Sequence, residues 1–151
     1  MAYSIIELST TDLDIFILDK QKVVHIATGG GNIPEKLLES DRYNGELRFT
    51  FRQLLRFPES EIEINPNISE ITRLPEEQLQ AYLIDFIYFA KLGIYTYDKT
   101  DLGNFESLKF HLVAKPKNPI PFLFGLFENG IYRIDSEIPV DFKPFLLDKY
   151  V

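Results

Sequence analysis

The chain holds two histidines, His25 and His111, each inside a β-patterned stretch. Two imidazoles with a carboxylate such as Asp14 or Asp98 could hold a divalent metal or do acid–base work if their strands converge. No His-x-His or His-x-x-x-His spacing supports a metal, so both are read as structural imidazoles hydrogen-bonded within a sheet. Gly29-Gly30-Gly31, just before a helix start at Pro34, resembles half of an anion site, because glycines expose backbone N–H groups near a helix N-terminus. A Gly-Lys-Ser/Thr loop and a G-x-G-x-x-G fingerprint are both missing. A turn needing positive φ is therefore the plainer reading. No serine occupies a G-x-S-x-G elbow, and the absence of Cys excludes thiol catalysis, disulfides and thiolate zinc sites.

The pairs Asp12/Asp14 and Glu61/Glu63 have strand-face spacing and read as solvated charges. Tyr95 and Tyr97 alternate with Ile94 and Thr96, serving equally well as interface anchors or as core. The residues these patterns nominate for ligand or partner contact are His25, Gly29, Gly30, Gly31, Tyr95, Tyr97, Asp98 and His111. No catalytic residue, metal ligand or cofactor is assigned.

Residues 14–18 and 23–27 are β-rich runs around the polar Asp19-Lys20-Gln21-Lys22, a hairpin signal. A four-residue loop sets Leu18 opposite Val23, Phe16 opposite His25 and Asp14 opposite Ala27. Both faces of that hairpin are apolar, so it must be covered on each side. Residues 75–91 form the clearest helix, with Pro75 at its start, Glu76 and Glu77 at the positive dipole end and Gly93 as the stop. Its main apolar face includes Leu79, Tyr82, Leu83, Phe86 and Ala90. Ile84, Ile87, Tyr88 and Phe89 fill much of the remainder, and the C-terminal segment is expected to cover them. A second helix is read near 46–57, with Asn44 as N-cap and Arg48, Arg52 and Arg56 on its wet face. Strands at 94–98 and 108–114 follow, then a hairpin at Asn129-Gly130 and a short helix from Pro144. The whole is an α+β domain spanning 1–151: a mainly antiparallel sheet with an N-terminal hairpin, packed on the buried helix 75–91 and the helix near 46–57.

Of 151 residues, 45% are hydrophobic and 14% aromatic, with 13 Phe, 8 Tyr and no Trp, which implies an ordered, phenyl-rich core. A net charge of −7 argues against nucleic acid, whose phosphates need clustered Lys and Arg. The same charge favours basic partners. The opening Met-Ala-Tyr-Ser-Ile-Ile-Glu-Leu lacks the features of a signal peptide, and the apolar stretch in 79–92 is too short to span a bilayer. A cytoplasmic protein without membrane contact, and a monomer, are expected.

The strings Asp-Leu-Asp-Ile-Phe-Ile-Leu-Asp, Val-Val-His-Ile-Ala-Thr-Gly-Gly-Gly and Ile-Pro-Glu resemble the opening of a group of small, mostly uncharacterised bacterial proteins. That group has an Asp-x-Asp-Trp-Phe strand, an Asp-x-x-Gly turn, a His-Phe-Ala strand and a Leu-Pro-Glu helix. Gly-Ile-Tyr-Thr-Tyr-Asp and His-Leu-Val-Ala-Lys-Pro resemble its second block, so that about a third of the chain is matched. The chain departs from the pattern at Ile15, where an aromatic is usual, and at Lys20-Gln21-Lys22, where the turn usually holds Gly. Small acidic proteins of this kind resemble immunity proteins, which neutralise toxins by binding them. Two functions are weighed on this basis. The leading one is a non-enzymatic binding protein engaging a basic protein partner. The alternative is a small hydrolase or ligand-binding enzyme using His25 and His111 with Asp14 or Asp98 near the Gly29–Gly31 turn.

Overall fold

The computed structural model describes residues 2–54, 61–118 and 130–151. The elements run α1 (Ile5–Thr10), β1 (Asp14–Leu18), β2 (Val23–Ala27), a 3-10 turn (Glu35–Ser40), α2 (Asp41–Gln53), β3 (Ile62–Ile64), α3 (Ile68–Thr72) and α4 (Glu76–Lys91). Then come β4 (Tyr95–Lys99), β5 (Lys109–Pro116), β6 (Tyr132–Arg133), β7 (Phe145–Leu146) and a closing 3-10 turn (Leu147–Lys149). The sheet order is β3-β5-β4-β2-β1-β6, with β7 also on β5. Its pairings are antiparallel except β2–β4 and β1–β6. This is the α+β fold expected.

The N-terminal hairpin has the expected register, with Phe16 opposite His25 and Asp14 opposite Ala27. Its turn needs no glycine, because the Asp19 carboxylate accepts from the backbone N–H groups of Gln21 and Lys22, at 2.8 and 2.9 Å. The other Asp19 oxygen takes the Lys22 amine and, at 3.0 Å, the Ile138 N–H. Every residue from Ile15 to Leu18 and from Val23 to Ala27 is buried. Period-two alternation therefore sends two apolar rows in opposite directions. Ile15, Ile17, Val24 and Ile26 pack with Tyr97, Phe110 and Leu112 under Leu8, Leu37, Ile138 and Leu147. Phe16, Leu18 and Val23 pack with Ile94 under Leu47, Phe51 and Phe89.

The last cluster reassigns two expectations. The C-terminal segment covers the face of the sheet opposite α4; of the excess apolar residues of α4, α2 covers Tyr88 and Phe89, while Ile84 stays exposed. Phe89 is fully buried, with its ring 5.5 Å from that of Phe16. Tyr88 donates its hydroxyl to the Phe51 and Leu54 carbonyls. Helix α2 also starts earlier than expected, at Asp41, so Asn44 is interior rather than a cap. Its side chain has another task. β6 pairs with β1 only at Ile17 and Leu18, which leaves the Phe16 N–H facing no strand. The Asn44 Oδ1 accepts from it at 3.0 Å, while its Nδ2 donates to Tyr3 Oη and Ser40 Oγ. A buried, unsatisfied backbone N–H would cost about 1–3 kcal/mol. Residues 55–57, including Arg56, and the Asn129 side of the expected hairpin lie outside the described residues. The chain end expected as a helix is β7 followed by the 3-10 turn, since Phe145 and Leu147 are anchored against the sheet.

Packing assigns unequal weight to two residues on α4. Phe89→Ala should cost about 3–5 kcal/mol by leaving a cavity beside Phe16 and Phe51. Ile84, 64% exposed, should tolerate alanine within about 0.5 kcal/mol. Denaturant unfolding of the two variants checks this, and equal costs would contradict the packing described.

Candidate functional site

On the α4 side of the sheet, one row across the strands reads His111, Asp98, Ala27, Asp14. With strands spaced about 4.8 Å apart, Asp98 and Asp14 stand roughly 10 Å from one another. The row therefore divides into two polar pairs. His25, one residue row away, joins Asp14, while His111 stays beside Asp98.

The His25 Nε2 lies 2.8 Å from Asp14 Oδ1. The ring sits among Phe16, Phe86 and Phe89, with centroids 5.2, 6.0 and 4.5 Å away. Burial pushes the Asp14 carboxyl upward, but the His25 hydrogen bond and charge, with Arg52 and Arg48, outweigh it and hold the group below its ordinary value. Arg52 approaches Asp14 at 4.0 Å and Asp85 on α4 at 3.2 Å, so this arginine ties α2 to α4. The pair is enclosed by aromatic rings. It has the geometry of a structural clamp.

Asp98 and His111 line a cavity of about 460 Å³ between the end of α3 and the β4–β5 edge, with Thr100 also in its wall. Asp98 is 4% exposed. Its Oδ2 accepts from Tyr82 Oη at 2.6 Å and its Oδ1 from the Lys99 N–H at 2.8 Å. Burial raises its pKa to about 7, more than those two hydrogen bonds lower it, and the negative charge of Asp12 adds to the rise. Burial, the Asp98 charge and the bond to it likewise push the Tyr82 phenol far above its ordinary value. His111, 1% exposed, has Nδ1 2.9 Å from Thr100 Oγ1, and its Nε2 has no hydrogen-bond partner among the described residues. Desolvation lowers its pKa to about 4, so the ring is neutral at pH 7.

The glycine turn lies apart from this cavity. The Gly29 N–H is taken by Asp12 Oδ1 and the Gly31 N–H by the Thr28 carbonyl, so neither is free for an anion. Gly29 has φ +60, and a Cβ on Gly31 would collide with the end of the Lys99 side chain. The buried Lys99 crosses the turn there to donate to the carbonyls of Asn32, Phe105 and Ser107. The glycines thus serve turn geometry and a lysine anchor. Tyr95 and Tyr97 point to the opposite face from Asp98. Tyr97 is fully buried and donates to the Pro139 carbonyl at 2.7 Å; Tyr95 is half-buried.

Sequence reasoning missed Tyr82, Thr100 and Lys99. Tyr82 counted only as part of an apolar helix face. The signal for Lys99 was present, because strand alternation puts it on the side of Tyr95 and Tyr97, facing inward. Among the described residues, no group of three or more His, Asp or Glu side chains could hold a metal ion, and no helix is long and apolar enough to cross a membrane. Comparison with protein-family models, curated proteins and solved structures finds no match to the chain.

The Asp98 environment sets a pH dependence with a definite sign. The group ionises near 3.8 when ordinary and near 7 in the fold, so between those values the folded state holds the extra proton. Stability must fall as pH rises through that window. Asp98→Asn keeps the shape and removes the titration. Its stability relative to the unmodified chain should rise by roughly 2–4 kcal/mol from about pH 4 to about pH 8. Parallel denaturation curves check this, and a pH-independent difference would refute it.

Proposed function

We propose that this chain is a non-enzymatic binding protein, immunity-like in the sense its sequence resemblance implies, whose acidic face engages a basic protein partner. The observation that carries the reading is the charge around the α3–β4 cavity. Glu70 and Asp101 stand exposed at its rim and Asp98 lies in its wall, against the exposed Arg73. The other lining cation, Lys99, has its amine committed to backbone carbonyls. Such a field draws in basic partners and repels acidic ones. The separate places of His25 and His111 also support it, since the two imidazoles stand beside different carboxylates and do not form one site.

A small ligand-binding enzyme is the second reading. Its support is that Asp98 and His111 share a cavity; its His25–Asp14 version is disfavoured by the aromatic enclosure of that pair.

Fluorescence anisotropy with labelled Lys/Arg-rich and Asp/Glu-rich peptides tests the leading reading. Saturable binding of the basic set alone is expected, weakened roughly tenfold by high salt. Equal binding of both sets, or of neither, would overturn it.

A further inference from the structure

Asp98 is a carboxylate withdrawn from water, with no cation paired to it among the described residues. Tyr82 from α4 and the Lys99 N–H give it two hydrogen bonds, and the charge that acts on it is the negative Asp12. β2 offers it only Ala27, and β5 offers it His111. Buried carboxylates are ordinarily paired or neutralised. His111 lines the same cavity, and its Nε2, enclosed by protein atoms, has no hydrogen-bond partner among the described residues.

We propose that this cavity receives one organic cation, the ammonium or guanidinium head of a Lys or Arg side chain presented by the basic partner, with the Asp98 carboxylate as its counter-charge. The inference rests on the binding reading above and deepens it to a named pocket. The chemistry fits at each point. A cationic head brings N–H donors and no acceptors, matching a carboxylate that lacks a counter-charge among the described residues. A cavity of about 460 Å³ has room for such a head and part of its stem. Glu70 and Asp101 at the mouth favour entry of a positive charge, and Arg73, the exposed cation of the rim, disfavours a second one. Binding must also compete with the Asp98 proton. Of the groups facing Asp98, Tyr82 and His111 stay neutral around pH 7 because burial shifts both away from it. The pH dependence therefore belongs to Asp98, acting under the charge of Asp12, with Glu70, Asp101, Arg73 and Lys99 lining the same cavity.

The test uses the full chain, the Lys/Arg-rich peptides, and N-acetyl-lysine amide with its uncharged N-acetyl-norleucine amide counterpart as small probes. Isothermal titration and the imidazole proton signals are the readouts; with two histidines, His111→Gln assigns those signals at once. Basic peptides and the lysine probe should bind and shift the His111 signals, and the norleucine probe should not. Affinity should fall about tenfold for each pH unit below the Asp98 ionisation. Asp98→Asn, which keeps the shape, should lose at least tenfold, while circular dichroism shows it folded. Glu70→Gln, on the exposed rim, gives a second variant with a smaller loss. If the basic peptides bind Asp98→Asn as tightly as the unmodified chain, the cavity is not their site and this inference falls while the binding reading stands. If the lysine probe binds but no peptide does, the cation is a free amine and the partner assignment falls. If nothing basic binds, both fall together.

Discussion

A hairpin whose two strands are buried on both faces fixes the architecture around it. Ile15 to Leu18 and Val23 to Ala27 leave no face for water. The chain must therefore build a layer on each side before the sheet is stable. α2 and α4 form one layer. The other is assembled from distant pieces: α1 and the first 3-10 turn near the start, and residues 138–151 near the end. The burial also explains why Asp19, Lys22 and Ile138 are tied together. The turn of the hairpin is where the late segment is fastened to the early one.

Inside so apolar a frame, polar groups persist only with partners, and most have them. Asn44 serves the Phe16 N–H, Asn65 donates to the Leu112 and Phe142 carbonyls, and the Lys99 amine reaches three carbonyls. His25 is held by Asp14 through Nε2, while its Nδ1, like the Nε2 of His111, has no hydrogen-bond partner among the described residues. Asp98 is different in kind. Its hydrogen bonds are made, yet its charge is unmatched among the described residues, and it lines a cavity with an acidic mouth. On that mismatch rests the cation site proposed above.

The parts legible in the sequence were those set by local periodicity. The four-residue turn and strict alternation define the hairpin register. The spacing of Leu79, Leu83, Phe86 and Ala90 marks α4, and Gly93 ends it with φ +96 as a helix stop requires. What stayed hidden depends on contacts between elements. Asn44 looks like a cap locally, and only the shortness of β6 beside β1 makes it a backbone partner. Tyr82 and Asp98 meet because α4 crosses the end of β4. The glycine run reads locally as a positive-φ turn, as Gly29 and Gly30 are, but the packing of Lys99 on Gly31 was hidden because the two are distant in sequence. Alternation did place both histidines in strands, but nothing local could tell that strand order would set them beside different partners.

The central claim is that Asp98 holds an unmatched charge out of water. The most direct measurement is the carboxyl carbon chemical shift of Asp98, followed by NMR as pH is varied and assigned with Asp98→Asn. The account predicts a single titration centred near neutral pH, consistent with an ionisation raised to about 7. A midpoint in the ordinary aspartate range, about 4, would mean that the carboxylate is solvated or already paired, and would remove the basis for a cation site in this cavity.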